Sequence, residues 1–210
     1  MSYNMEEFWS KQAYEKGRNA VIGDYQFGTA TMIGFLTRNF SFDNKNVLDA
    51  GTGVGRLLEA FFINNAPEKV IGCDVSPKML EYAETVAKTK GWKEKCELVE
   101  ASVTKMPFAD KQFDFVNCVT VCCHMPDYDV FKKALSELQR VCKSELLIID
   151  PTCIANKYEN AEWHYCIRRR AKYIENLPEM ELKYCNEYVF GRTEDADAIR
   201  TAMYFVRKES

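Results

Sequence analysis

Residues 46–62, NVLDAGTGVGRLLEAFF, carry the feature that most limits how this chain can fold. A short apolar run is followed at once by three glycines, Gly51, Gly53 and Gly55, and then by apolar residues at helical spacing. Glycines at such a turn let the backbone approach a ligand closely, because no Cβ stands in the way. The stretch therefore predicts a strand–turn–helix unit of an open α/β sheet, with a ligand beyond the end of the strand.

Strand and helix patterns alternate along the chain from residue 46 to residue 151. Short apolar runs predict buried strands, and apolar residues spaced three and four apart predict helices. The predicted strands are NVLDA, KVIGCD, CELVEA, FDFVNCVTV and SELLIID, and SPKMLEYAETVAKTKG and DVFKKALSELQRVCK are two of the helices. Since helices between strands act as crossovers, we expect an α/β fold with a doubly wound, mostly parallel sheet and helices on both faces.

Further patterns flank this core on both sides. The N-terminal segment is predicted to form two helices, and ENAEWHYCIRRRAKYIENL is predicted to form a basic helix. ELKYCNEYVF and IRTAMYFVRK predict two closing strands, which makes a seven-stranded sheet. Without repeats or low-complexity linkers, the chain is predicted to be one domain, residues 1–210, divided into segments 1–44, 45–150 and 151–210.

The composition excludes several classes of protein. An apolar fraction of 47% and a charged fraction of 28% are typical of a globular protein, and the net charge of −3 argues against a nucleic-acid binder. No apolar run approaches the roughly 18 residues of a membrane span, and MSYNMEEFWSK does not resemble an export or transit signal. The nine cysteines, at irregular spacings, predict free thiols in a cytoplasmic protein, whose oligomeric state the sequence leaves open.

The residues of the turn distinguish between possible ligands. The pattern G-x-G-x-G differs from the G-x-G-x-x-G of dinucleotide-binding turns, and it lacks the Lys-Ser or Lys-Thr pair of a P-loop. Asp49, two residues before Gly51, would repel a pyrophosphate and would favour an ammonium group. The turn therefore predicts a ligand with a positively charged head and no phosphate.

Four motifs together resemble a known family. VLDAGTGVG, VIGCDVSPKMLEYA, MPFADKQFDFV and MPDYDVFKKALSELQRVCK stand in the order and spacing of class I S-adenosylmethionine-dependent methyltransferases, most similar to the small-molecule branch loosely called type 11. The resemblance covers residues 45–150, about half of the chain. It implies the Rossmann-like methyltransferase fold with an antiparallel C-terminal strand, S-adenosylmethionine as cofactor, and transfer of a methyl group to a small-molecule acceptor by in-line displacement.

The resemblance also implies which residues hold the cofactor. Asp49 would face its ammonium group, Asp74 would accept both ribose hydroxyls, and Val75 would pack against the adenine. Ser102 stands where relatives usually have an acid, and residues 1–44 would supply a lid that excludes water. The whole implied cofactor site consists of Asp49, Gly51, Gly53, Gly55, Asp74, Val75, Ser102, Val103 and Cys118, with Tyr14 from the lid.

The acceptor side carries fewer signals. Many relatives have a His-His pair where this chain has Cys123-His124, and an imidazole there would suit a general base; the alternative is a structural histidine bonded to backbone. The basic residues 168–170 with Lys172 would suit a carboxylate or phosphate on the acceptor; the alternative is a solvated helix face.

Other functions are less consistent with these motifs. A nicotinamide-dependent oxidoreductase fits the glycines and Asp74 but not Asp49 or the glycine spacing, and a non-catalytic methyltransferase-fold partner would not need an intact turn. Three thiols, Cys122, Cys123 and Cys153, could bind arsenite, but they do not match the cysteine positions of arsenite-methylating relatives. No metal site is therefore predicted.

Overall fold

The computed structural model describes residues 4–22, 27–153, 161–162, 165–186 and 199–209. The chain divides into two compact units, unit 1 (Met1–Val103) and unit 2 (Thr104–Ser210). The prediction of one domain over the whole chain stays a prediction. No helix in the described part combines the length and apolar character that crossing a bilayer requires.

Unit 1 contains a parallel sheet with strand order β3-β2-β1. The predicted α/β alternation is confirmed here, because every strand is followed or preceded by a helix. In chain order its elements are α1 (Met5–Ile22), α2 (Phe27–Asn39), β1 (Asn46–Ala50), α3 (Leu58–Phe62), β2 (Lys69–Asp74), α4 (Pro77–Thr89) and β3 (Cys96–Glu100).

Helix α4 begins where its sequence predicts, and α1 packs against it. The Ser76 hydroxyl accepts a hydrogen bond from the Met79 N–H at 3.2 Å, and Pro77 occupies the first helical position. Ala13 of α1 is buried in one cluster with Val54 and Met79. The N-terminal helix is thus held over the glycine turn and the start of α4.

Unit 2 contains a mixed sheet. Strand β4 runs parallel to β5, β10 runs antiparallel to both β5 and β9, and a two-residue strand, β8, pairs with β5. The predicted antiparallel C-terminal strand is therefore confirmed. The elements are β4 (Phe113–Val119), a 3-10 turn (Cys122–His124), α5 (Tyr128–Val141), β5 (Cys142–Cys153), β6 (Ala161–Glu162), β7 (Tyr165–Cys166), β8 (Arg168–Arg169), α6 (Arg170–Glu175), β9 (Met180–Asn186) and β10 (Ile199–Arg207).

One detail of the predicted fold is wrong. The basic segment after residue 158 does not form one helix; its described residues form β6, β7, β8 and the short helix α6. Pairing of Arg168 with Thr152 of β5 overrides the local helical pattern there. The seven predicted strands are all present, three in unit 1 and four in unit 2, and the two-residue strand β8 raises the count to eight.

A carboxylate is fully buried in unit 2 near the carboxyl end of β5. Asp150 has 0% of its surface exposed, and its Oδ2 accepts a hydrogen bond from the Tyr173 hydroxyl at 3.1 Å. Burial raises the pKa of Asp150 from 3.8 to about 7, although Cys123, Tyr173 and the Arg168 charge each oppose the increase.

Replacing Asp150 tests this assignment through the pH dependence of stability. Because the pKa is higher in the folded chain, stability present at low pH is lost as the pH rises from 3.8 to about 7. An amide does not titrate, so the free energy of unfolding of Asp150→Asn should gain about 2 kcal/mol relative to the wild type between about pH 5 and pH 8. Urea unfolding at several pH values measures this gain, and Glu6→Gln, which changes an exposed carboxyl, is the control. If the difference in free energy of unfolding between Asp150→Asn and the wild type stayed constant across this pH range, the prediction would be contradicted.

Candidate functional site

The glycine turn is tethered to the end of the neighbouring strand. The N–H groups of Gly51 and Thr52 both donate to the carbonyl of Cys73, at 2.8 and 2.9 Å. Gly51, Gly53 and Gly55 all have positive φ, at 77°, 56° and 79°. The turn predicted from the glycines is therefore formed at the carboxyl ends of β1 and β2.

The second and third glycines serve different purposes. A Cβ at Gly55 would lie 3.1 Å from the Cα and 3.2 Å from the Cβ of Ala83, so this glycine lets α4 pack against the turn. A Cβ at Gly53 would meet no atom within 4 Å. Since close packing explains Gly55 and not Gly53, the open side of Gly53 is where a ligand can approach the backbone.

Asp74 connects the turn to the start of α4. Its Oδ2 accepts a hydrogen bond from the Gly53 N–H at 3.0 Å, and its Oδ1 accepts one from the Ser76 N–H at 2.9 Å. Burial raises the pKa of Asp74, and the backbone bonds from Ser76, Gly53 and Val75 oppose this increase. An ionised carboxylate has about four acceptor positions, so each oxygen can accept a further hydrogen bond from a ligand hydroxyl.

Two further polar side chains, those of Asp49 and Thr52, are buried at the end of β1 and in the turn after it. Asp49 is 3% exposed in β1, opposite Gly72 of β2. Burial, together with the charges of Asp74 and Asp49, raises the pKa of the Cys73 thiol to about 12. The Thr52 hydroxyl is buried without a hydrogen-bond partner in the described chain, as expected of a group that contacts a ligand. Thr52 is not among the residues that the sequence predicted for the site, although a polar residue between two turn glycines was a usable signal.

The loop after β3 reaches the same strand end. The Ala101 N–H donates to the Asp74 carbonyl at 2.9 Å, which brings the following residues next to the end of β2. Ser102 and Val75 are half-buried and Val103 is buried. Unit 1 thus brings together the turn, Asp74 and the predicted adenine-side residues.

The predicted lid residue lies on α1. Tyr14 belongs to this helix, but its side chain falls outside the part of the chain that the structure describes. Nearby, the Ser10 hydroxyl lies 2.9 Å from the Ser76 hydroxyl. Contact between the N-terminal helix and the start of α4 is therefore direct.

The remaining predicted residues belong to unit 2. Cys118 is buried in β4, with its Sγ 3.9 Å from the Sγ of Cys122. His124 is half-buried at the end of the 3-10 turn, and its backbone N–H donates to the Val121 carbonyl at 3.0 Å. Within the described residues no group of three His, Cys, Asp or Glu side chains is placed to hold a metal ion.

The basic run is not a solvated helix face. Arg168 is 3% exposed in β8, so that alternative is wrong for this residue, and Arg169 and Arg170 are half-buried. The cause is the strand pairing of β8 with β5, which turns the first arginine into the interior. Trp163 and His164, which precede the arginines and could line the same acceptor pocket, lie outside the described residues.

Comparisons with known proteins agree with this geometry. A family model described as a methyltransferase domain matches residues 48–149. Demethylmenaquinone methyltransferase of Bacteroides fragilis is 30% identical over 113 residues, which are 53% of this chain and 45% of that protein. Ubiquinone biosynthesis O-methyltransferase of Chromobacterium violaceum is 34% identical over 106 residues, 50% of this chain and 44% of that protein. The chain thus spans less than half the length of these curated relatives.

A solved structure extends the likeness beyond the matched core. Magnesium protoporphyrin IX methyltransferase of Synechocystis, crystallised with S-adenosylmethionine, superposes with a TM-score of 0.71 at 16% identity, over 97% of this chain and 95% of that one. The shared architecture confirms the predicted Rossmann-like methyltransferase fold. The matched residues 48–149 include both the glycine turn and Asp74, and this part of the chain belongs to the methyltransferase-domain family.

Proposed function

We propose that this protein transfers a methyl group from S-adenosylmethionine to a small-molecule acceptor by in-line displacement. The observation that carries the proposal is the Asp74 carboxylate, fixed by the Gly53 and Ser76 N–H groups beside an open glycine backbone. The relatives named above methylate small molecules, which supports this class of acceptor. The nine free thiols support the further proposal of a reducing, cytoplasmic setting.

The polar groups of unit 1 suit the parts of this cofactor. Asp74 retains lone pairs for the two ribose hydroxyls, and the buried carboxylate of Asp49 favours a ligand ammonium. The unpaired hydroxyl of Thr52 can bond to the same amino-acid part. Val75, Ser102 and Val103 supply a partly apolar surface for the adenine, and we retain Tyr14 and Cys118 as proposed contacts.

The protein's contribution to the reaction is mainly to hold the reactants in place. When bound, the cofactor supplies an electrophilic methyl group on a sulfonium. Alignment of the acceptor atom with the bond that breaks accounts for much of the rate in such a displacement. Helix α1 contacts the start of α4 through Ser10 and Ser76, and this contact supports the proposed role of α1 as a lid that excludes water. His124 is the proposed general base for an acceptor that must lose a proton.

Titration with two ligands tests the function directly. We expect S-adenosylhomocysteine to bind and NAD not to bind in calorimetry, because the turn has an aspartate where a pyrophosphate would lie. Incubation with tritiated-methyl S-adenosylmethionine and fractionated metabolite pools should then label a small molecule. Binding of NAD alone would replace the proposal with an oxidoreductase, and cofactor binding without any labelled product would favour a non-catalytic role.

Removing the charge of Asp74 should weaken cofactor binding. Asp74→Asn keeps the size of the side chain but leaves one acceptor oxygen for two backbone N–H groups and two ligand hydroxyls, so the Kd for S-adenosylhomocysteine should rise at least about tenfold. Glu100→Gln is the matched control, because Glu100 is an exposed carboxylate opposite Asp74 in the sheet register. Equal Kd values for Asp74→Asn and the wild type would remove Asp74 from the site.

Alanine substitutions at Gly53 and Gly55 test whether Gly53 serves ligand binding and Gly55 serves helix packing. Both Gly53→Ala and Gly55→Ala incur the left-handed backbone penalty of about 1–2 kcal/mol. Gly55→Ala should lose about 1–3 kcal/mol more stability, since its methyl group overlaps Ala83. Gly53→Ala should instead raise the Kd for S-adenosylhomocysteine about tenfold or more, because its methyl group would occupy the open space into which the ligand is proposed to bind. Thermal unfolding and calorimetry of both variants measure the contrast; the reverse pattern would contradict it.

A further inference from the structure

Arg168 holds the segment that follows β4 by its backbone. The guanidinium donates hydrogen bonds to three carbonyl oxygens, those of Cys122 at 3.4 Å, Met125 at 2.5 Å and Pro126 at 3.0 Å. The backbone of Arg168 is itself fixed, because β8 pairs with the end of β5. A buried side chain thus connects the end of one strand to the 3-10 turn after another.

The surroundings of the guanidinium suit a permanent cation. Its central carbon lies 4.3 Å from the ring centroid of Phe131, and the Phe131 ring packs edge-to-face on Tyr173 at 5.0 Å. Tyr173 in turn donates to Asp150, and the Arg168 charge lowers the pKa of that carboxyl against the effect of burial. A lysine could not replace this arrangement, because an ammonium lacks the planar fork of donors that reaches several carbonyls at once.

We propose that Arg168 is a positioning residue for methyl transfer, which holds His124 in place by fixing the backbone on both sides of it. Cys122 and Met125, two of the three carbonyl partners, flank His124 in the sequence. The proposal rests on the proposed function, because it concerns the acceptor side of that reaction. It also changes the expectation for the acceptor: because the guanidinium is buried and bonded to three carbonyls, we do not expect Arg168 to bind a carboxylate or phosphate of the substrate.

Alkylation of buried thiols measures whether Arg168 holds this segment, without knowledge of the acceptor. Cys122 and Cys123 lie in the held turn and are 0% and 1% exposed, and Cys142 is equally buried at the opposite end of β5. Iodoacetamide is applied under native conditions, and mass spectrometry of each peptide gives the rate. Local release of the turn exposes only the first two thiols, whereas unfolding of unit 2 exposes all three.

Three variants make the comparison. Arg168→Met should raise the alkylation rates at Cys122 and Cys123 about tenfold or more with no change at Cys142, and Arg168→Lys should fall between Arg168→Met and the wild type. Lys132→Met is the matched control, because Lys132 lies 5.2 Å from the ring centroid of Tyr128 but is exposed. Rates that stay at wild-type values in both Arg168 variants, or that rise together with Cys142, would overturn the proposal.

The kinetic test uses the acceptor that the metabolite screen identifies. A positioning role predicts that Arg168→Lys lowers kcat about tenfold with little change in KM and in the Kd for S-adenosylhomocysteine. A rise in the acceptor's KM with kcat retained would instead make Arg168 a substrate ligand and overturn the proposal. If the wild type bound no S-adenosylhomocysteine, the proposed function would fail, but the alkylation pattern would still decide whether Arg168 holds the turn.

Discussion

The carboxylate of Asp74 joins two backbone segments on which the candidate site of unit 1 depends. One oxygen accepts from the Gly53 N–H in the turn after β1, and the other accepts from the Ser76 N–H at the start of α4. The buried carboxylate needs these donors, because burial opposes its ionisation. The bonds that stabilise Asp74 therefore also fix the position of the glycine turn, and the same oxygens remain able to accept from a ligand.

In unit 2 a buried cation, Arg168, fixes a backbone segment, as the Asp74 carboxylate does in unit 1. The segment after β4 has little regular structure, and Arg168 fixes it by donating to three of its carbonyls. Asp74 and Arg168 differ in the hydrogen-bonding capacity that remains for a ligand. A carboxylate with one bond to each oxygen still has acceptor positions, whereas Arg168 is buried, donates three bonds to backbone carbonyls and has a ring face of Phe131 against its guanidinium.

The sequence predicted correctly those helices and strands whose conformation depends on residues close to one another in the chain. Ser76 and Pro77 mark the start of α4, and the apolar runs mark the strands at their observed places. The segment around Arg168 was predicted wrongly, because its conformation comes from pairing with Thr152, which lies far away in sequence. For the same reason a run of arginines gave no sign that the first would be buried. The glycine motif and Asp74 were predictable as a site, but the separate roles of Gly53 and Gly55 depend on where α4 packs.

A crystal structure of the complex with S-adenosylhomocysteine is the most direct test of the central claim. We expect both ribose hydroxyls to lie within hydrogen-bond distance of the Asp74 carboxylate while its bonds to the Gly53 and Ser76 N–H groups persist. The amino-acid part of the ligand should lie along the open side of Gly53. A ligand bound elsewhere, or one whose ribose leaves Asp74 without a new partner, would contradict it.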